Sequence, residues 1–285
     1  MKYVPLKHKY LFFIFLLIGC FSSSLTLGEA TTSWKEIDRF YQKNKINVFD
    51  LQSSQIKKLK IYEYFPADFA NLEDVKKKKE IFFLVAYPMI LMMNENIKIE
   101  RQQIINIEKK FRNKTIHEKD IQKLEELANK YKLDTSPLDR ILFRKLLQRI
   151  NIIPVSLALG QAIIESGWGQ SRFAIEGNAL YGQWTYDQQQ GLVPKQRDSD
   201  KTHVVKKFDK LEDSVRSYMF NINTHPAYYD FRLVRRLTSA LRLTSTAVNY
   251  KIQYLAAYSE IGQKYVDQLE MILETNNLQR FDKFN

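Results

Sequence analysis

The stretch 154–174, PVSLALGQAIIESGWGQSRFA, joins an apolar segment to an acidic residue and two glycines. A proline suits the start of a helix, because its missing N–H would have no partner in the first turn. Apolar residues continue at helical spacing as far as Glu165, and Gly167 and Gly169 then end the helix. The pattern predicts a helix with Glu165 in its last turn. The negative end of the helix dipole lies there, which disfavours an ionised carboxylate and raises the pKa of Glu165.

The segment after this helix alternates between short apolar runs and polar turns. YGQW at 181–184 and the residues 203–205 are strand-like, and polar turn residues lie between them. We therefore predict a small β-hairpin over 180–208. Beyond residue 211 the apolar spacing is helical again, and it predicts helices over 215–222, 232–241 and 247–273.

The composition favours a folded, helical protein with a basic surface. Hydrophobic residues make up 45% of the 285 residues, and nine glycines with seven prolines are few for a β-rich fold. Lys and Arg number 44 against 32 acidic residues, which gives a net charge of +12. Such a surface suits nucleic acid, an anionic membrane or an anionic wall polymer. Since no arginine-rich stripe or RNA-binding signature accompanies the charge, we expect no nucleic-acid partner.

The first 30 residues have the pattern of an export signal. Three lysines within 1–9 precede a short uncharged apolar run, which is followed by small and polar residues. The run is shorter than the about 20 residues that span a bilayer. Leu17–Cys20 resembles a bacterial lipobox, in which the cysteine is lipidated after cleavage, whereas cleavage after Ala30 would leave a soluble protein. We predict a signal peptide over 1–30 and a protein of the periplasm or cell envelope, either free or anchored through a lipid on Cys20.

Residues 31–140 are predicted to form a helical N-terminal region without a catalytic signature. The stretch 69–91 has the spacing of a basic amphipathic helix, and Asp74 is placed to cap its start. The lysines at 76–79 are interpreted as a solvated helix face, with contact to an anionic wall or lipid as the alternative. Helical spacing continues over 95–115, 120–132 and 138–150.

Glu165 is the residue best placed for acid catalysis. A carboxylic acid serves as a proton donor when it stays protonated near neutral pH, and burial beside aromatic residues favours that state. Glycoside hydrolysis needs such a donor for the leaving oxygen. Trp168, Tyr181 and Trp184 lie close in sequence and are side chains of the kind that stack on sugars.

The strings around Glu165 resemble a family of bacterial wall hydrolases. ESGWGQSRFA at 165–174 followed by GNALYGQW at 177–184 is similar to the glucosaminidase domain of glycoside hydrolase family seventy-three. The similarity is greater to the Bax branch of exported proteins, as GLVP at 191–194 and the segment 223–235 indicate. Upstream matches near 74–83 extend the resemblance over much of the chain.

The resemblance implies a mainly α (α+β) fold, in which a lysozyme-like helical lobe carries a small β-hairpin over a cleft. The helical N-terminal region would cover 31–140 and the glucosaminidase domain 141–280. The implied enzyme is an endo-β-N-acetylglucosaminidase, which hydrolyses the β-1,4 bond on the reducing side of N-acetylglucosamine in peptidoglycan. Its partners are peptidoglycan glycan strands, and neither a cofactor nor a metal is implied.

The same resemblance implies roles for particular residues. Glu165 matches the catalytic acid, and Tyr258 matches a tyrosine proposed to line the catalytic centre. The residues implied to bind substrate are Ser166, Trp168, Asn178, Tyr181, Gln183 and Trp184. Two departures concern the hairpin: Thr185 and Gln190 stand where Bax-type members often carry a cysteine pair, and Ala179 replaces a usual asparagine.

The second catalytic group stays open from the sequence. An inverting enzyme would need a base well separated from Glu165, for which Asp187, Asp198 and Asp200 are candidates. The alternative is substrate assistance, in which the sugar's own N-acetyl group attacks the anomeric carbon and Tyr258 supports the developing charge. We favour substrate assistance.

Three functions are compatible with the sequence. A peptidoglycan glucosaminidase is favoured, and a muramidase or lytic transglycosylase on the same architecture is the second, since a Glu-Ser pair also ends a helix there. The third is a non-catalytic wall-binding protein. It is motivated by the lack of an evident second catalytic carboxylate and by the missing cysteine pair. His203 and His225 lack partners at metal-ligand spacing and are interpreted as surface residues.

Overall fold

The computed structural model describes residues 33–194, 202–240 and 251–284. The predicted signal peptide with Cys20, and the candidate bases Asp198 and Asp200, lie outside the described residues. Within the described ranges the chain forms a helical body with one small antiparallel sheet, which confirms the predicted mainly α fold with a small β element. No helix in these ranges is long and apolar enough to cross a membrane.

The described part of the N-terminal region is dominated by one long helix. Asp74 caps that helix as predicted, because its side chain accepts a hydrogen bond from the Lys77 N–H at 2.9 Å. The helices of this region are α1 (Trp34–Lys43), α2 (Ser53–Ile56), α3 (Val75–Arg112) and α4 (Glu118–Lys130). α3 is 38 residues long and packs against α1 and α4.

The middle of α3 lies at the centre of the hydrophobic core. Every residue from Ile81 to Leu91 is buried, so this part of α3 lacks the polar face of the predicted amphipathic helix. The reason is that other elements pack around it on all sides. Pro88 lacks an N–H and leaves the Leu84 carbonyl without its helical partner. The Tyr41 hydroxyl lies 3.4 Å from that oxygen and 3.3 Å from the Lys60 carbonyl, so its one proton is shared between these two acceptors.

The helix that ends at Glu165 has the bounds that the sequence predicts to within one residue. α5 (Arg140–Arg149) precedes α6 (Val155–Ser166), which starts just after Pro154 and ends at Gly167. Gly167 has a left-handed φ of 57°, as a helix-ending glycine often does. The short helix α7 (Arg172–Gly177) follows the turn after Glu165.

The predicted hairpin is a three-stranded antiparallel sheet with the last strand in the middle. Its strands are β1 (Trp184–Thr185), β2 (Gly191–Leu192) and β3 (Val204–Lys206). Trp184 lies opposite Val205, and Leu192 lies opposite the same residue on the other side. The segment 181–183, predicted as strand, is irregular backbone, because Gly182 has a left-handed φ of 59°.

The C-terminal part is helical, with one correction to the prediction. The helices are α8 (Leu211–Thr224), α9 (Tyr229–Ala240) and α10 (Gln263–Thr275), with 3₁₀ helices at Gln253–Tyr258 and Leu278–Phe284. A single helix over 247–273 is therefore wrong for its described part. Ser259 is extended and Gly262 has a φ of 56°, so the chain turns before α10 begins.

The N-terminal region and the rest of the chain share one hydrophobic core. A single cluster of buried side chains runs from Ile37 to Phe281, and α3 contacts α5, α6 and α8. Asn94 of α3 links the N-terminal region to the rest of the chain, through hydrogen bonds to the backbone just before α6. Its amide nitrogen donates to the Ile153 carbonyl at 2.7 Å, and its oxygen accepts from the Ile153 N–H at 3.1 Å.

Replacing Phe82 by Ala should destabilise the whole protein, because this ring is fully buried in the shared core. Truncating a buried phenylalanine costs about 3–5 kcal/mol. Urea unfolding, followed by circular dichroism and tryptophan fluorescence, should show one coincident transition at a lower midpoint. The matched control is Val75→Ala, which removes a 66% exposed side chain from the same helix and should leave the midpoint almost unchanged. Two separate transitions in the wild type would contradict a shared core.

Candidate active site

Glu165 lies half-buried in the last turn of α6. Burial raises the pKa of its carboxyl to about 7, and a hydrogen bond from the Tyr265 hydroxyl acts in the opposite direction. The sequence predicted a raised pKa partly from the helix dipole, whereas loss of water around the carboxyl is the main cause in the structure. A carboxyl with this pKa is present in both protonation states near neutral pH, as a group that gives and takes a proton must be.

A cluster of tyrosines surrounds the Glu165 carboxyl. Tyr228, Tyr258 and Tyr265 lie near enough to it for their charges to interact if ionised. The ring centroids of Tyr258 and Tyr265 are 5.4 Å apart, and those of Tyr228 and Tyr258 are 6.1 Å apart. Burial raises the pKa of Tyr258 and of Tyr265 far above the ordinary value, so both hydroxyls keep their protons. The carboxyl is therefore surrounded by uncharged hydroxyl groups.

A chain of hydrogen bonds fixes the direction in which Tyr265 donates. The Tyr218 hydroxyl donates to the Gln161 amide oxygen at 2.6 Å, and the Gln161 amide nitrogen donates to the Tyr265 oxygen at 2.9 Å. Because the Tyr265 oxygen already accepts from an amide, its own proton is available for Glu165. Gln161 stands four residues before Glu165, so both side chains leave the same face of α6.

Close packing of α6 against α10 brings Tyr265 to this face. A Cβ added at Gly160 would lie 2.8 Å from Leu269 Cδ1 and 3.2 Å from Leu273 Cδ2. A side chain at this position would require these leucine side chains to move, so the glycine permits the close packing seen here. Asp282 anchors the other end of α6, since its carboxylate accepts from the Ser156 N–H at 2.9 Å and from the Ser156 hydroxyl at 2.6 Å.

Backbone forms another wall of the site. A Cβ added at Gly182 would lie 2.9 Å from Glu165 Oε2, and its φ is 59°. Next to it, the Tyr258 hydroxyl donates to the Tyr181 carbonyl at 3.2 Å. The chain that leads into β1 therefore lies directly against the acid, and only a glycine fits there.

Ser166 and Trp168 hold the turn that follows Glu165. The Ser166 hydroxyl is buried, donates to the Ala162 carbonyl at 2.5 Å and accepts from the Gly169 N–H at 2.8 Å. Trp168 has a left-handed φ of 60°, and its ring packs edge-on against two phenylalanines of α3, each 5.7 Å away. The Lys79 ammonium lies 4.5 Å above the same ring. These contacts attach the turn to the N-terminal region.

Asn178 joins three parts of the chain through its amide. Its oxygen accepts from the Phe65 N–H at 3.0 Å, and its nitrogen donates to the Phe208 and Asp209 carbonyls at 3.1 and 3.3 Å. The residue ends α7 with a left-handed φ of 51°, which asparagine tolerates well. Both ends of the amide are therefore engaged within the protein.

Tyr181, Gln183 and Trp184 lie at different depths along the entry to the sheet. Tyr181 is buried and stacks on Tyr218 at 3.8 Å. Gln183 is half-buried and donates to a carbonyl of α8 at 3.2 Å. Trp184 is 55% exposed and stacks on His203 at 3.8 Å, with an angle of 6° between the rings. Of these three side chains, Trp184 offers an aromatic face at the surface.

The remaining candidates have local roles in the described residues. Asp187 accepts from the Gln189 N–H at 3.0 Å and from the Gln190 amide at 2.8 Å, and so closes a turn between β1 and β2. His225 accepts from a backbone N–H at 3.2 Å. Across the described ranges, no three His, Cys, Asp or Glu side chains are grouped so as to hold a metal ion.

Four residues that the fold brings to the surroundings of Glu165 were not among the predicted site residues: Gln161, Gly182, Tyr228 and Tyr265. Gln161 could have been predicted from the sequence, because it is the one polar side chain within 157–164 and lies one helical turn before Glu165. Gly182 stood within the quoted string, but its role as a wall depends on the path of the chain. Tyr265 could not have been predicted from the sequence, since its position in the apolar pattern of α10 is that of an ordinary core residue.

Comparisons with known proteins give the family. The model described as mannosyl-glycoprotein endo-beta-N-acetylglucosaminidase matches residues 141–278. Protein bax of Escherichia coli (strain K12) is 30% identical over 231 residues, which cover 78% of this chain and 80% of the relative. No solved structure matches the chain. The relative matches far more than the glucosaminidase segment, and the chain belongs to the Bax-type proteins with a glucosaminidase domain.

Proposed function

We propose that the protein is an exported peptidoglycan hydrolase that cleaves the β-1,4 bond on the reducing side of N-acetylglucosamine, with Glu165 as the general acid. The observation that carries the proposal is a carboxyl with a pKa of about 7, placed among neutral tyrosines in a chain of the glucosaminidase family. The family supports a glycosidase that acts on a glycan, and the bond, the acid and export are our proposals.

Protonated Glu165 would donate its proton to the oxygen of the leaving sugar. Leaving-group protonation is the step for which a carboxylic acid with a raised pKa is suited. The Tyr265 hydroxyl bonds to a carboxyl oxygen that carries no proton, since its direction is fixed by Gln161. The acid proton is thereby left on the oxygen that does not face Tyr265.

We propose substrate assistance for the attack on the anomeric carbon. The carbonyl oxygen of the sugar's own N-acetyl group would form the new bond as the glycosidic bond breaks. Water would then open that intermediate, with the Glu165 carboxylate accepting its proton. The described candidate base, Asp187, is engaged in its own turn, which supports this route. Tyr258 would stabilise the charge that develops on the N-acetyl group.

The exposed face of Trp184 is proposed to stack on a sugar of the glycan strand. Trp184 lies on β1, two residues after Gly182, which lies against Glu165. A bound glycan would therefore contact both Trp184 and Glu165. Export is supported by the pattern of residues 1–30, and a lipid on Cys20 would hold the enzyme at the membrane beside its polymer.

Replacing Glu165 by Gln should abolish hydrolysis, because the amide keeps the shape and loses the acid. Wild-type protein incubated with purified sacculi should release fragments with reducing N-acetylglucosamine ends, identified by mass spectrometry after borohydride reduction. Glu125→Gln, an exposed site on α4, is the matched control and should stay active. Anhydro-muramyl ends would indicate a lytic transglycosylase, and sedimentation with sacculi without any release would indicate a wall-binding protein. Full activity of Glu165→Gln would rule out the assigned acid.

The pH dependence of kcat/KM should report Glu165. Activity should fall as the pH rises through about 7, because the acid must be protonated. In Tyr265→Phe the hydrogen bond that lowers the pKa is gone, so the fall should move to higher pH. Tyr186→Phe, which alters an 81% exposed ring, is the control and should keep the wild-type profile. If the pH profile of Tyr265→Phe is unshifted, the Tyr265 hydroxyl does not influence the pKa of Glu165.

Replacing Gly182 by Ala should reduce activity strongly by displacing the Glu165 carboxyl. The added Cβ would lie 2.9 Å from Oε2, in a backbone conformation with φ of 59°. Gly167→Ala is the control, since its φ of 57° is also left-handed and nothing lies within 4 Å of the added atom. Both variants should lose about 1 kcal/mol of stability, but the loss of kcat should be confined to Gly182→Ala. Equal activity in the two variants would contradict the close approach.

A further inference from the structure

A groove separate from the Glu165 site runs between the N-terminal region and the glucosaminidase domain. It has a volume of about 1010 Å³, and α3 and α4 supply one wall, while α8 and the residues around β2 and β3 supply the other. Glu165 and the tyrosines near it are not among its lining residues. Since one wall lies before residue 141, the segment that the family model matches forms only half of this groove.

The groove has an apolar base and charged sides. Met93 and Ile97 of α3, Met219 of α8 and Phe208 after β3 are buried side chains that line it, together with the half-buried Phe220. Such a base accommodates methyl groups and other small apolar side chains. A ligand here would be one with apolar and charged groups in alternation, as a short peptide has.

The positive charge that the groove offers to a ligand comes from two lysines on its β3 side, Lys206 and Lys207. Five cationic side chains line the groove, and three of them are held by carboxylates: Lys130 by Glu100, Lys123 by Glu126, and Arg216 by Glu212 and Asp213. The cationic residues are Lys123, Lys130, Lys206, Lys207 and Arg216. No carboxylate of the described residues pairs with Lys206 or Lys207, and Asp209 is the one lining carboxylate not held in an ion pair there. A ligand with more than one carboxylate would complement this arrangement.

The groove lies across α8 from the acid. Tyr218 faces the tyrosine cluster, while Arg216 and Phe220, two residues away in each direction, face the groove. A helix with its side chains is about 10 Å across. An extended peptide of four or five residues spans up to about 13–18 Å. A peptide of this length is therefore longer than the width of the helix that separates the groove from Glu165.

We propose that this groove binds the acidic peptide branches of peptidoglycan. The inference rests on the proposed function for its choice of polymer. The glycan backbone of that polymer is neutral where its lactyl carboxyl is linked to peptide, whereas the peptide carries free carboxylates and small apolar side chains. The N-terminal region would then form one wall of a second binding site for the polymer that the enzyme cleaves.

Peptide binding can be measured without hydrolysis. Soluble peptides released from peptidoglycan by an amidase are titrated calorimetrically into the full-length Glu165→Gln protein. The groove variant is Lys206→Ala/Lys207→Ala, which removes the two lining lysines that no carboxylate of the described residues holds, and the control is Lys58→Ala/Lys109→Ala, with two exposed lysines outside the groove. The groove variant should bind about tenfold more weakly than the control variant. Equal affinities, no binding to the wild-type groove, or equally tight binding of an unrelated acidic peptide would overturn the proposal.

Hydrolysis supplies the second measurement. Wild-type protein should cleave peptide-bearing glycan with a lower KM than amidase-stripped glycan, and the groove variant should lose this difference with kcat unchanged. If stripped glycan competes with the peptides for the groove, the occupant is the sugar chain and the proposal fails. If wild-type protein cleaves neither substrate, the proposed function fails, while the calorimetric result still decides whether peptides bind.

Discussion

Burial of one carboxyl at the end of α6 is the constraint on which the candidate site depends. Taking Glu165 out of water disfavours its charged form, and the pKa rises to about 7. The contact that lowers this pKa is a hydrogen bond from a neutral hydroxyl, that of Tyr265. A lysine or arginine in that position would favour the carboxylate and lower the pKa, so a tyrosine allows the group to hold a proton and still be oriented.

The orientation of that hydroxyl depends on packing well away from the acid. Gly160 lets α10 approach α6, and this approach places Tyr265 beside Gln161. Gln161 can donate to Tyr265 with its nitrogen because its oxygen is occupied by Tyr218. An amide presents one acceptor and one donor in fixed positions, so the two tyrosines together determine which way it points. A stereochemical detail at Glu165 therefore follows from the spacing of two helices.

The N-terminal region is part of the same physical unit. Trp168 adopts a left-handed conformation that costs a non-glycine residue about 1–2 kcal/mol. Its ring contacts α3, and the aromatic contacts and Lys79 offset that cost. Asn178 is tied in the same way to the Phe65 N–H. The turn after Glu165 is thus held from outside the segment that the family model matches, which gives the N-terminal helices a structural reason to accompany the domain.

Much of the fold was determined by local sequence, because its signals act over one or two helical turns. The cap at Asp74, the bounds of α6 and the position of Glu165 in its last turn follow from a capping side chain, proline, glycine and apolar spacing, which restrict the backbone wherever they occur. The burial of α3 on all sides, the break before α10 and the three-stranded sheet did not follow from these signals. They depend on which surfaces meet and on where single glycines turn the chain.

The surroundings of Glu165 were decided by tertiary structure alone. Tyr265 is 100 residues after the acid in sequence, and nothing in its own spacing separates it from a core residue. The groove between α3, α4 and α8 likewise has its two walls in distant parts of the chain. The sequence determined that a carboxylic acid ends a buried helix, since that depends on neighbours along the chain. Only the tertiary structure decided its pKa and its donors, because desolvation and hydrogen bonding depend on neighbours in space.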